Sequence, residues 1–517
     1  MSSLRTERRF VARRAALLAF APLALASANA APATVDPRLL DSATREGSAD
    51  VIIVLADQTR PVLAPLREDG DARIRRRALI DALQARAEAT QPGLRQWFAE
   101  RGIAHRDFWI VNLIQARLPA SALYELAARS DIARIEPNPQ IALHLPEPEK
   151  DRVAAPQAAD VAEGIAWGVV KIEAPAVWAA GVTGQGIVIG GEDTGYQWNH
   201  PALKPQYRGW NGTTANHNFN WHDAVHDAAA EPVCGNNSPV PCDPNQHGTH
   251  TAGTFAGDDG AGVTPRHQVG VAPGAKWIGC RNMDKSGKGT PVRYIECMQW
   301  MLAPTDLKGR RANPDLAPDV ISNSWSCTSS EGCTVGNEIQ AAVSALVDAG
   351  IFYVAAAQNS GPSCATILDP PATQAVSFDV GATDGSDALA GFSSRGPVSG
   401  TTQMRPDLSA PGVSVCSSVP TNSYSCSPSG TSMAAPHVAG AAALLMSAFP
   451  ALKGHPDKVA AILRATATTT GIFNTPGVDQ SCGGTPITQW PNYMAGHGRL
   501  DAVNAFHEVV FIDGFDN

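Results

Sequence analysis

From about residue 166 onward, short apolar runs alternate with helical stretches, and this alternation limits the fold more than any other feature of the chain. "GIVIGGEDTG", "VGVAPGAKWIGCRNM", "APDVISNSWS", "GIFYVAAAQNSG", "AVSFDVGATD" and "PDLSAPG" are apolar runs that end in Gly, Asn, Ser or Asp, and between them lie "VRYIECMQWMLA" and "NEIQAAVSALVDAG" with helical spacing. Strands without a polar face must be covered on both sides. A parallel sheet with helices on both faces does this, and its chemistry gathers beyond the carboxyl ends of the strands. The expected fold class is therefore α/β. With 517 residues the chain has room for that sheet and for further domains.

The N-terminal part differs in texture. Arg5, Arg8, Arg9, Arg13 and Arg14 precede "AALLAFAPLALA" and the small residues of "SANA", the pattern of an export signal, residues 1–30, cleaved near Ala30. A membrane anchor needs about twenty apolar residues, more than this run holds. The paired arginines permit a twin-arginine route, which stays open. Residues 35–145 carry no Cys and alternate short strands ("ADVIIVLAD", "FWIVNLIQARLP", "IARIEPNPQIAL") with amphipathic helices, giving a small α+β domain. Residues 146–165, "PEPEKDRVAAPQAADVAEGI", form a polar, aperiodic linker of the kind that proteases cut. The alternating domain spans 166–510.

Ten cysteines, all at or after Cys234, suit disulfides formed outside the cell. Zinc is the competing use, but no CxxC pair is present. Connectivity stays open, although short separations favour Cys234 with Cys242, Cys327 with Cys333 and Cys416 with Cys426. A net charge of −9 leaves no basic footprint for nucleic acid. The densest basic cluster, Arg73 to Arg77, alternates with apolar residues as a solvated helix face would.

Three segments combine into a chemistry that none carries alone. Asp193 ends an apolar strand before a glycine turn, which by itself is ordinary turn chemistry. In "NQHGTHTAGTFAG", His247 opens a helix and Gly248 leaves its ring accessible; the spacing to His250 invites a metal, but the intervening Glu of a metalloprotease helix is missing. In "SPSGTSMAAPHVAGAAALLM", Ser432 stands at the start of an apolar helix, where a lone serine is usually a cap. A serine hydroxyl becomes a nucleophile when an imidazole takes its proton and a carboxylate holds that imidazole. The chain order Asp, His, Ser and the absence of a GxSxG elbow exclude an α/β-hydrolase.

"DTG", "HGTHTAG" and "GTSMAAPHVAG" resemble the three signature segments of the subtilisin-like serine proteases, over residues Trp167 to Asp501. "GDDGAG", "GVAPGAKWIGCRNMD", "LAPTDL" and "DVISNSWS" are most similar to the bacillopeptidase F-type branch. The resemblance implies a subtilisin-like parallel sheet preceded by a ferredoxin-like propeptide domain. It implies Asp193 as orienting acid, His247 as general base, Ser432 as nucleophile, and Asn359 with the Ser432 N–H as oxyanion donors. Pro436 falls in the first turns of the helix after the serine, where its missing N–H costs little. An extended substrate would pair with Gly287 and Gly289 on one side and with Ser324, Trp325 and Ser326 on the other. Four positions depart from the family: Gln358 replaces the usual Gly, Ser324-Trp325-Ser326 replaces Ser-Leu-Gly at its second and third residues, and Glu192 replaces an apolar residue.

The implied protein is a secreted serine endopeptidase of broad reach, extracellular or periplasmic. It would be a monomer made as a zymogen, with residues 35–145 blocking the cleft until the linker is cut. Its partners are protein and peptide substrates and its own propeptide, with no nucleic acid and no membrane anchor. No cofactor is required; family members often hold structural calcium, but no metal ligand is assigned. The other readings are an inactive scaffold of the same fold used for binding and, for 35–145, a retained binding module. The "NGT" at Asn211 fits a glycan acceptor. The closing "VVFIDGFDN" has no assigned role.

Overall fold

The computed structural model describes residues 33–59, 72–146, 164–227, 231–260, 262, 266–474 and 481–513. The expected export signal and most of the linker lie outside the described residues.

The N-terminal unit contains β1 (Thr34–Val35), α1 (Pro37–Glu46), β2 (Ala49–Leu55), α2 (Ala72–Thr90), α3 (Pro92–Arg101), β3 (His105–Phe108), β4 (Leu113–Leu118), α4 (Ala120–Ala127) and β5 (Ile132–Pro137). Its five-stranded sheet runs β1-β5-β2-β4-β3, antiparallel except where β1 meets β5. Strand β2, "ADVIIVL", is apolar at successive residues because it serves two cores. Val51, Ile53 and Leu55 pack on Leu39, Phe98 and Leu123 within the unit, whereas Ile52 and Val54 join a cluster that includes Val292, Ile295, Ile339 and Val343 of the following unit. Side chains alternate across a strand, so a two-sided burial needs this composition.

Next come β6 (Ile141–Ala142), β7 (Val188–Asp193), β8 (Trp221–Asp223), α5 (His247–Ala256), β9 (Lys276–Arg281), β10 (Lys288–Gly289), α6 (Pro291–Leu302), β11 (Val320–Asn323), α7 (Gly336–Asp348), β12 (Phe352–Ala356), β13 (Phe378–Thr383), β14 (Ala388–Leu389), β15 (Leu408–Pro411) and α8 (Thr431–Ala448). The parallel order β13-β12-β11-β7-β9-β8 forms the body of a nine-stranded sheet, with β15 parallel to β13 and β14 antiparallel to it. Every residue of β11, β12 and β13 is buried, as strands covered on both faces require. Helix α8 is apolar around its circumference and buried from Thr431 to Met446, the state expected of a helix without a polar face. The closing helix Ala502–Asp513 packs Ala505 and Val509 into the same core, so part of the final segment is structural.

Five disulfides pair all ten cysteines: the three short pairings favoured by spacing, and Cys280–Cys297 and Cys364–Cys482. The expectation of a solvated face at Arg73 to Arg77 holds for Arg73 and Arg77, which are exposed, and fails for Arg75 and Arg76. Arg75 and Arg76 are buried: Arg75 donates to the carbonyls of Asp348 (2.9 Å) and Gly454, and Arg76 to those of Ala349 (3.2 Å) and Pro314 (3.0 Å). The carbonyls at the end of α7 have no helical partner and carry the negative end of the helix dipole, so guanidinium groups are drawn there.

Candidate active site

Neighbouring parallel strands end at one place. Asp193 is the last residue of β7, Ser324 follows β11, and Asn359 lies three residues past β12. His247 is the first residue of α5 and Ser432 the second of α8. Asp193, His247 and Ser432 are all nearly solvent-free.

His247 Nδ1 lies 2.7 Å from Asp193 Oδ1. That oxygen also accepts from the Thr194 N–H at 2.7 Å, and Oδ2 accepts from Thr251 Oγ1 at 3.2 Å. The carboxylate is thereby fixed in rotation, and the imidazole tautomer with a proton on Nδ1 follows from its acceptor. Gly248 lets α5 come this close: a Cβ there would stand 2.1 Å from the Gly195 carbonyl oxygen and 3.0 Å from Asp193 Cβ. Asp243 secures the same helix start. Its Oδ1 accepts from the N–H groups of Asn245 and Gln246 at 3.0 Å and from Thr194 Oγ1 at 3.0 Å, and its Oδ2 from Thr249 N (2.9 Å) and Oγ1 (2.6 Å). Burial raises the Asp243 carboxyl even against these donors. Sequence reading missed Asp243; its signal was an acid four residues before a helix start, able to accept from the N–H groups there. His250 Nε2 donates to the Val415 carbonyl at 3.0 Å.

Ser432 Oγ donates to the Ser324 carbonyl at 3.4 Å, and His247 Nε2 is buried without a hydrogen-bond partner. Proton-transfer contacts of this kind are often long until substrate is reacting. Pro436 sits at the sixth helical residue, in the second turn, and lacks the N–H that would bond the Ser432 carbonyl. The Ser324 hydroxyl replaces it, donating to that carbonyl at 3.2 Å. Asn359 is oriented by α8: its Oδ1 accepts from Thr431 N (2.9 Å) and Thr431 Oγ1 (3.0 Å), which leaves Nδ2 free to donate outward.

The segment after the N-terminal unit runs through this site. β6 pairs antiparallel with β10, Ile141 opposite Gly289 and Ala142 opposite Lys288, and Leu143 N donates to the Gly287 carbonyl at 2.8 Å. Asn359 Nδ2 then donates to the His144 carbonyl at 2.8 Å. On the opposite side, among the described residues, no hydrogen bond joins Ser324, Trp325 or Ser326 to this segment; the Glu331 carboxylate takes that place, accepting from Ala142 N at 3.2 Å. Glu331 stands in the loop closed by Cys327–Cys333. Gln358, at φ 76°, turns its amide away to Asp369 O (2.8 Å) and Leu368 N (3.1 Å), and Trp325 stacks on Tyr294 with centroids 3.8 Å apart. Among the described residues, no three His, Cys, Asp or Glu side chains gather as a metal site. Nor is any described helix long and apolar enough to cross a membrane.

The subtilase family model matches residues 184–484. Bacillopeptidase F of Bacillus subtilis (strain 168) is 34% identical over 446 residues, 84% of this chain but 29% of that relative, so the chain spans under a third of it. Subtilisin E of the same strain is 30% identical over 357 residues, 68% of this chain and 74% of the relative. An alkaline protease of Shouchella clausii is 31% identical over 323 residues, 61% of this chain and 68% of the relative. The chain belongs to the subtilase family of serine endopeptidases, in its bacillopeptidase F-type branch.

Proposed function

We propose that this chain is an exported serine endopeptidase made as a zymogen, with the N-terminal unit as its intramolecular inhibitor. The observation that carries the reading is the His144 carbonyl held at 2.8 Å by Asn359, at the end of a segment laid along β10 as a substrate strand would be. In this reading Ser432 Oγ attacks the carbonyl carbon while its proton passes to His247 Nε2, and Asp193 steadies the imidazolium through Nδ1. The oxyanion is met by Asn359 Nδ2 and the Ser432 N–H. The intermediate collapses by expelling the amine, which takes the proton from His247. Water, deprotonated by the same ring, then cleaves the ester and returns Ser432 to its hydroxyl. The first substrate is the chain itself, cut between His144 and Leu145, just ahead of the linker. The unit before the cut stays docked through its shared apolar cluster and through Arg75 and Arg76.

A binding scaffold is the second reading, and its one support is that Ser432 Oγ donates to Ser324 rather than to His247. Wild type expressed beside Ser432→Ala separates the two. Wild type is expected to yield a mature form beginning at Leu145 that reacts with a fluorophosphonate, while the variant stays full length and unlabelled. Identical maturation of both in a protease-free host refutes self-cleavage. Wild type that neither cuts peptides nor labels refutes the peptidase.

A further inference from the structure

The segment lying in the cleft displays how side chains before the cut bond are received. Ile141 is fully buried, in one apolar cluster with Tyr294 and Trp325. His144 behaves otherwise: its side chain is 63% exposed, and its Nε2 lies 3.1 Å from Glu331 Oε2. Beside it a cavity is lined by Ser324, Trp325, Ser326, Gln358 and Asp369; Gln358, where the family has glycine, bonds Asp369 and Leu368, and the Trp325 ring stacks on Tyr294.

Glu331 is held in place. It ends a one-turn helix, Ser329–Glu331, inside the short loop stapled by Cys327–Cys333, and the Ser329 N–H is anchored on Asp369 Oδ1 at 2.8 Å. Its carboxylate touches the bound segment twice, at the Ala142 N–H (3.2 Å) and at the His144 ring (3.1 Å). The backbone contact reads no sequence; the side-chain contact does. An acceptor fixed at the pocket rim suits a side chain that carries an N–H donor or a positive charge.

We propose that Glu331 is a specificity-determining residue, directing cleavage to peptides with a basic side chain immediately before the cut bond. This rests on the peptidase reading above. Quenched fluorescent peptides of sequence Ile-Ala-Leu-X-Leu-Pro-Glu-Pro, with X as Lys, norleucine or Phe, test it on the mature enzyme. Norleucine matches the Lys stem without its charge. Because an exposed ion pair is weak, kcat/KM for Lys over norleucine is expected at about fivefold in low salt, shrinking as salt is added. In Glu331→Gln, whose amide oxygen still accepts the backbone N–H, that ratio is expected to fall to about one. A ratio unchanged in Glu331→Gln, or a wild-type preference for norleucine or Phe, overturns the proposal while leaving the peptidase intact. Failure to cut any of the peptides, together with no fluorophosphonate labelling, overturns the peptidase reading instead.

Discussion

Asn359 is clamped between two backbones: its Oδ1 accepts from the Thr431 N–H at 2.9 Å, and its Nδ2 donates to the His144 carbonyl at 2.8 Å. The first contact settles which end of the amide is nitrogen, so the second is a donor aimed at the carbonyl that would become an oxyanion. Removing such a donor costs about 10²- to 10³-fold in kcat. Asn359→Ala in the mature enzyme is therefore expected to lose activity mainly in kcat, with KM little changed. A kcat within threefold of wild type, measured on a fluorogenic peptide, would show that Asn359 caps α8 and does nothing more.

The docking of the N-terminal unit makes a second prediction. Arg75 and Arg76 bond the carbonyls of Asp348 and Ala349 at the end of α7, and both guanidinium groups are buried. Hydrogen bonds from charged groups contribute about 1.5–3 kcal/mol each. The double variant Arg75→Ala, Arg76→Ala should release the cleaved unit at least tenfold faster. The lag between self-cleavage and the appearance of activity on an added peptide measures this, and an unchanged lag would place the hold elsewhere.

Much of the site was legible because its chemistry lies in contiguous motifs. Asp193 at a strand end, His247 and Ser432 at helix starts and Asn359 after "VAAAQ" each sit where an open parallel sheet gathers side chains. The alternation of apolar runs likewise announced the sheet itself. What escaped were contacts between distant segments. The guanidinium groups of Arg75 and Arg76 look like a solvated face until α7 ends against them. Glu331, between two cysteines, looks like loop chemistry until Ala142 and His144 arrive beside it. Local pattern encodes which face a residue occupies, but not which carbonyl waits across it.

Two buried imidazoles predict acid sensitivity. Burial pushes His250 down to about 3 and His437 down to about 4. Both pKa values lie below the unfolded one, so their stabilising effect is complete above about pH 6.5 and declines as pH falls towards the folded values. Each ring costs about 1.4 kcal/mol per pH unit in that interval. His226 works in the opposite sense: burial opposes its charge, but bonding to Glu296 raises it, so it loses stabilisation as pH rises. Urea unfolding of the Ser432→Ala protein with and without His437→Gln between pH 6.5 and 5 should show the parent losing stability relative to the variant by about 1.4 kcal/mol per pH unit. A constant difference there would mean that the His437 ring is hydrated in solution.

Glu192 precedes Asp193 on β7 and faces the other side of the sheet, between Asn323 of β11 and Cys280 of β9. It is fully buried, neither carboxyl oxygen has a hydrogen-bond partner, and desolvation pushes its pKa well above the ordinary value. With the folded pKa raised, the stabilising contribution is complete below about pH 4.5 and is lost as pH rises towards the folded value. Glu192→Gln has nearly the same shape and no charge to bury. In the Ser432→Ala background it should match the parent near pH 4 and exceed it increasingly as pH rises. Urea unfolding of the two proteins across that range decides the matter. Parallel curves would mean that Glu192 is ionised in the folded state with a compensating partner, and the family's apolar residue at this position would then confer no advantage over it.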